Sequence, residues 1–216
     1  MTASVIPERN RLAVNTVKLI SKAVLSPFFK SNIRGINNIP QKGSFVLLPK
    51  HNRWEDIPLI AISVQRPLYF VAKQELFNNS ISRKLFAMLG GLPLDRSRPV
   101  RSRDTLMRVM QKINDGEGVV IFPEGTYYKN HIGPGHAGLI KMVHSNINTV
   151  FIPVGIKYAG TRLRKTIRII FGNPVKNDYF KKPEELFAFI MKEIAGLSGL
   201  VNDTALNLFG VNSDGR

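Results

Sequence analysis

Leu47-Leu48-Pro49-Lys50-His51-Asn52-Arg53-Trp54-Glu55-Asp56-Ile57-Pro58 holds a strand end, a loop and a helix start in one short stretch. The apolar run Phe45–Pro49 reads as a buried strand. A helix begins around Asp56, because the proline at 58 is tolerated in a first helical turn. His51 therefore sits at the C-terminal end of a strand, where open α/β sheets collect their ligands. On one continuous helix the spacing from His51 to Asp56 would leave the two side chains roughly 140° apart. They meet only if His51 is on the loop and Asp56 is in the first turn. An aspartate so placed accepts the imidazole Nδ1–H, fixes the tautomer and leaves Nε2 to take a proton.

Working outward, four more apolar runs read as buried strands: Leu68–Ala72, Val119–Pro123, Val150–Ile156 and Ile167–Phe171. Helical stretches lie between them, near 55–64, 76–89, 102–115, 136–146 and 182–197. Gly116 and Gly118 punctuate the turn before Val119. Pro183-Glu184-Glu185 opens the last helix with a proline and two acids. The alternation predicts an α/β domain, a central mixed sheet covered by helices, over residues 36–216. Residues 1–35 are expected to form an amphipathic, basic helical segment in front of it.

The 216 residues carry 31 Lys+Arg against 15 Asp+Glu, a net charge of +16. Such an excess implies an anionic partner: nucleic acid, a membrane surface or a phosphorylated small molecule. The chain has no cysteine, which excludes disulfides, cysteine-bound metals and a thiol nucleophile. Arg9, Arg11, Lys18, Lys22, Lys30, Arg34, Lys42 and Lys50 face a single acid, Glu8, in the first 50 residues. Within them, Leu12–Phe29 reads as a helix with Ala13, Val17, Ile20, Val24 and Pro27 on one stripe. Lys18 and Lys22 fall on the other face. Those lysines argue against a membrane span, and the interrupted apolar run argues against a signal peptide. Two readings remain: a helix in the membrane interface with its lysines toward anionic headgroups, or a surface helix packed on the core. A second basic cluster, Lys157, Arg162, Arg164, Lys165 and Arg168, reads as a solvated loop or a phosphate contact.

Three more segments bring polar groups to strand ends. Val119-Val120-Ile121-Phe122-Pro123-Glu124-Gly125-Thr126 ends an apolar strand in an acid and a glycine. It offers a carboxylate and an approachable amide, or simply a turn with Glu124 exposed. Gly90–Arg96 carries an arginine to the end of a short apolar stretch. Phe151-Ile152-Pro153-Val154-Gly155-Ile156 has a proline inside a strand, which implies an edge, a bulge or a bend lining a site. Gly133–Gly138 matches G-x-G-x-x-G but stands well beyond the strand end, so it reads as a loop. No G-x-S-x-G elbow, Walker loop or H-E-x-x-H is present. His131, His136 and His144 lack partners at metal-ligand spacing, and no metal or cofactor is expected.

In order and spacing, these blocks resemble the signature blocks of the glycerolipid acyltransferases, specifically the 1-acyl-sn-glycerol-3-phosphate (lysophosphatidate) acyltransferase family. His51-Asn52-Arg53-Trp54-Glu55-Asp56 is similar to that family's His-x4-Asp. Gly91-Leu92-Pro93-Leu94-Asp95-Arg96 resembles the second block. Phe122-Pro123-Glu124-Gly125-Thr126 resembles the third, and Phe151-Ile152-Pro153-Val154 the fourth. Lys73 and Glu75 stand where the family often carries Lys-x-Glu. One departure is Tyr127, where the third block usually continues with arginine.

The resemblance implies transfer of a fatty acyl group from acyl-CoA or acyl carrier protein to the free hydroxyl of a lysophospholipid, lysophosphatidate first. His51 is then the general base and Asp56 its orienter. Arg96, Glu124, Gly125, Thr126, Lys73 and Pro153 are the expected substrate-binding residues. The expected setting is peripheral, on an anionic membrane at the cytoplasmic face. Nucleic acid is not expected as a partner, because no motif interleaves basic and aromatic residues on one element. A catalytically idle membrane-binding protein is the rival, but it leaves His51, Asp56 and Glu124 at strand ends unexplained.

Overall fold

The computed structural model describes residues 9–95, 99–160 and 165–200. In chain order the strands are β1 (Phe29–Arg34), β2 (Phe45–Pro49), β3 (Leu68–Lys73), β4 (Gly91–Leu94), β5 (Gly118–Val120), β6 (Val150–Gly160), β7 (Lys165–Phe171) and β8 (Val175–Lys176). The helices are α1 (Arg11–Leu25), α2 (Asp56–Ser63), α3 (Ser80–Met88), α4 (Pro99–Asn114), α5 (Gly138–Asn146) and α6 (Pro183–Ser198). The sheet runs β1-β7-β6-β2-β5-β3-β4, with β8 beside β6. Its pairings are parallel except β6–β7 and β6–β8. It is thus the mixed sheet that the alternating pattern predicts.

Strand parity builds two cores. Val46 and Leu48 of β2 join Val71, Val119 and Phe151 against α4, α5 and α6. Phe45 and Leu47 turn to the opposite face, with Leu59, Ile60, Ile152, Ile167 and Ile169. β2 is buried at every residue, so both faces of the central strands are covered and their C-terminal ends form one firm edge.

Three elements depart from the expectations. The helix predicted over Leu12–Phe29 stops at Leu25, and Phe29–Arg34 becomes edge strand β1, parallel to β7. Pro27 brings no N–H to continue the helical ladder, which ends with the Ser26 N–H on the Lys22 carbonyl. Gln74–Phe77 forms a 3₁₀ turn before α3, so the predicted single helix is split at Asn79, whose side chain caps α3.

α1 also faces the other way from an ordinary packed helix. Val14, Lys18, Ser21 and Leu25 lie on its inward side, with Val14 and Leu25 buried. Of the apolar stripe, Val17 still reaches the cavity wall, while Ile20 and Val24 are displaced from the inward side by about 100° or more. Leu12, Leu19, Ile20 and Val24 are accordingly exposed.

Pro153 is neither on an edge strand nor at a bend lining the cavity. It stands inside β6, opposite Leu48 of β2. On its other side the Gly172 N–H donates to the Pro153 carbonyl at 2.8 Å. The reciprocal bond is impossible without a proline N–H. Asn38 takes its place, its Nδ2 donating to the Gly172 carbonyl at 3.0 Å. One side-chain amide thus satisfies the carbonyl that the proline leaves open.

Candidate active site

The C-terminal ends of β2 and β5 lead into neighbouring loops, and the site is built where these meet the start of α2. His51 follows β2, and its Nδ1–H donates to Asp56 Oδ2 at 3.1 Å. Asp56 opens α2 and is fully buried. Its Oδ2 also accepts the backbone N–H groups of Asn52 at 2.6 Å and Arg53 at 2.7 Å. Its Oδ1 accepts the Tyr158 hydroxyl at 2.6 Å. Four donors thus hold the carboxylate in place. Asn52 adds a clamp, its Nδ2 donating to the Ile156 carbonyl of β6.

The imidazole itself is fixed from both sides. Phe122 stacks on it with centroids 3.9 Å apart, and Tyr127 meets it edge-on at 4.5 Å. With Nδ1 bonded to Asp56, Nε2 is the nitrogen left for chemistry, and His51 lines a cavity of about 350 Å³. The cavity is walled chiefly by apolar side chains of α1, α2, β3 and the 3₁₀ turn after it, including Val14, Ile57, Ile62, Phe70 and Leu76. A basic nitrogen at one end of an apolar pocket suits a ligand with a reactive polar head and a hydrocarbon body.

Behind the histidine lies a buried ion pair. Lys50 and Glu124 are 0% and 1% exposed, and Lys50 Nζ donates to both carboxylate oxygens, at 2.9 and 2.8 Å. The same ammonium donates to the Tyr128 carbonyl at 2.6 Å. Glu124 in turn accepts the His51 N–H at 2.9 Å and the Gly133 N–H at 2.7 Å. This one carboxylate therefore ties together the loops after β2 and β5 and the segment at 133. Burial pushes the Lys50 ammonium below its ordinary pKa, with Glu124 pulling the other way. Gly125 closes the turn at φ +67°, a left-handed backbone conformation that glycine adopts freely.

Of the residues expected from the sequence, His51, Lys73, Gly125 and Thr126 line the cavity. Asp56 stands behind His51. Glu124 is not the exposed turn residue of the simpler sequence reading; it is enclosed with partners on both oxygens, so it positions His51 rather than facing the cavity. Pro153 belongs to the sheet, and Arg96 lies outside the described residues, as do Arg162 and Arg164. Sequence reasoning missed Lys50, Phe122, Tyr127 and Tyr158 as parts of the site. Tyr158 was legible: it shares strand parity with the buried Val154 and Ile156, and a tyrosine there needs a partner for its hydroxyl.

Burial, followed by the charge of Asp56, raises the Tyr158 phenol far above its ordinary pKa, so it remains a donor at any working pH. Tyr158→Phe is expected to lower turnover about tenfold, the worth of one hydrogen bond to a charged group. A carboxylate relieved of one donor presents more of its charge to the imidazole and favours the imidazolium. The acid limb of the rate-against-pH curve should therefore move to higher pH, which a purely structural loss would not produce.

The family model described as Acyltransferase matches residues 30–157, more than half of the chain. The chain belongs to the acyltransferase family. Within that family it is 29% identical over 143 residues to 1-acyl-sn-glycerol-3-phosphate acyltransferase of Streptococcus pneumoniae, covering 66% of this chain and 54% of that protein. It is 31% identical over 125 residues to the chloroplastic 1-acyl-sn-glycerol-3-phosphate acyltransferase LPAT1 of Arabidopsis thaliana, covering 57% and 35% respectively. The matches thus span about half or less of these relatives' own length. The crystal structure of the 1-acyl-sn-glycerophosphate (LPA) acyltransferase PlsC from Thermotoga maritima superposes with a TM-score of 0.70 at 22% identity, over 87% of this chain and 78% of that one. That likeness carries the fold of this acyltransferase-family chain.

Proposed function

We propose that this acyltransferase-family chain transfers a fatty acyl group from a thioester, acyl-CoA or acyl carrier protein, to the free hydroxyl of 1-acylglycerol-3-phosphate. The observation that carries this reading is the His51–Asp56 pair at one end of the apolar cavity. His51 Nε2 takes the proton of the acceptor hydroxyl as its oxygen attacks the thioester carbonyl. A C–O bond forms, the C–S bond breaks, and the imidazolium returns the proton to the departing thiolate. No covalent enzyme intermediate is needed, in keeping with a chain that has no cysteine. The cavity takes the hydrocarbon of one substrate. Lys73, at the end of β3 and on the cavity wall, supplies a cation for the acceptor's phosphate, together with Arg96. The relatives' names support lysophosphatidate as acceptor. Tyr127 against His51 favours, as the second reading, a lysophospholipid with a different headgroup.

The exposed stripe of α1, with Leu12, Leu19, Ile20 and Val24, suits the interfacial setting, as does exposed Trp54 on the loop beside His51. No helix among the described residues is long and apolar enough to cross a membrane. In this reading the chain lies peripherally on an anionic membrane at the cytoplasmic face. The test is a matrix of acyl-CoA and acyl carrier protein donors against several lysophospholipids, presented on phosphatidylglycerol vesicles. Phosphatidate formed from lysophosphatidate is the expected product. Transfer to other lysophospholipids alone selects the second reading, and no transfer to any acceptor overturns both.

A further inference from the structure

The inward side of α1 reads Val14, Lys18, Ser21, Leu25, and a lysine in the middle of a packed face demands an explanation. Lys18 is half-buried, and its Nζ donates to the Val64 carbonyl at 2.8 Å. Val64 is the C-cap residue that follows α2. The ammonium therefore caps the C-terminal end of the helix whose first residue, Asp56, orients His51. Capping accounts for the bond but not for the place, because Lys18 also lines the cavity.

Its position along the cavity follows from the fold. α2 spans eight residues, about 12 Å at 1.5 Å per residue. His51 and Asp56 are at its start, and the Lys18 ammonium is at its finish. β3 gives the same direction: Lys73 ends the strand on the His51 side, and Leu68 begins it, about 17 Å away at 3.3 Å per residue. Both residues line the cavity. The walls between are Ile57, Ala61, Ile62, Phe70 and Val71, all apolar. Thus the cavity has its catalytic nitrogen at one end and a cation at the other.

We infer that Lys18 is the group that sets the longest acyl chain this cavity accepts. A hydrocarbon tail extending from the His51 end buries one methylene after another against α2 and β3. Past the level of Val64 the next methylene meets an ammonium whose displacement would break its bond to the carbonyl and leave a buried charge without that partner. Burial followed by the nearby Arg9 lowers the Lys18 pKa, the mark of a cation already short of water. The inference deepens the proposed function and takes its substrate class from it.

Equilibrium binding of non-transferable thioether analogues of acyl-CoA, in a series of increasing saturated chain length, tests it by calorimetry. Wild-type affinity should rise with length to a maximum and then fall. Each buried methylene is worth roughly fourfold in affinity. Lys18→Met replaces the cation with an apolar chain. Its maximum should move to longer chains, and a chain two methylenes beyond the wild-type optimum should bind about tenfold tighter than to wild type. Lys18→Gln keeps a donor for Val64 and so protects the fold, and should shift the maximum the same way. Lys18→Arg keeps the charge, and its maximum should hold or shorten. An unchanged maximum in the folded Gln or Met variant overturns the inference, as does lengthening in the Arg variant. A residue that only capped α2 would change melting temperature without moving the optimum. The acyl-transfer assay runs in parallel: a shifted optimum without any transfer upholds Lys18 and rejects the proposed function. Transfer with an unshifted optimum does the reverse.

Discussion

His51→Ala should abolish nearly all acyl transfer while leaving a folded protein. Removing a positioned general base costs about 10²–10⁴-fold in rate. The structure explains why the rest of the site survives the change. Asp56 keeps three of its donors, from Asn52, Arg53 and Tyr158, so its carboxylate is not orphaned. The Glu124 carboxylate holds the backbone N–H of residue 51, which alanine retains. What is lost is one ring packed between Phe122 and Tyr127 and one hydrogen bond, about 1–3 kcal/mol of stability. A chain of this size then loses roughly 2–12 °C in melting temperature. kcat measured against a saturating thioester, together with a melting curve, checks both halves. Retention of most of the activity would remove His51 from the mechanism. Asp56→Asn should behave differently. Its new amide faces donors rather than acceptors, so it should lose activity and stability together.

The separation of these two effects shows what the sequence made legible. Phe45–Pro49 reads as a buried strand from composition, and the His51–Asp56 spacing demands a loop followed by a helix start. Both are local statements, and both hold in the structure. Glu124 was visible as an acid at a strand end, but its partners come from positions 50, 51 and 133, and no local pattern joins those. Pro153 looked like an edge signal. Its tolerance inside β6 depends on Asn38, more than a hundred residues away in the chain. The helix α1 misled in another way. Most of its clearest apolar stripe is exposed, with Val17 alone of it on the cavity wall, and the side that packs carries Lys18 and Ser21. Hydrophobic periodicity finds a helix's apolar face but not what covers it, and the lysine read as lying on the face away from that stripe turns inward. β1 was hidden because its six residues are exposed along almost their whole length, so neither alternation nor an apolar run marks them.

Glu124→Leu is expected to be the most destabilising single change in the site, and its effect should fall when Lys50 is changed with it. Removing one member of a buried ion pair leaves the other charge uncompensated, at about 3–5 kcal/mol. For a chain of this size that is roughly 6–20 °C in melting temperature. Lys50 has no route to water at 0% exposure, and its lowered pKa shows that burial already outweighs the attraction of Glu124. Lys50→Met together with Glu124→Leu removes both charges, so the double variant should be more stable than Glu124→Leu alone. It should not recover fully, because the N–H groups of His51 and Gly133 lose their acceptor in either case. The double-mutant cycle isolates the pair from those two amides. Activity should stay low in the double variant even where stability returns, since the backbone at His51 is no longer held. A Glu124→Leu cost below about 1 kcal/mol would show that the carboxylate is not the tie between the loops. Full recovery of turnover in the double variant would show that the site needs neither the ion pair nor the bond to His51, and that the single variant fails through its uncompensated charge alone.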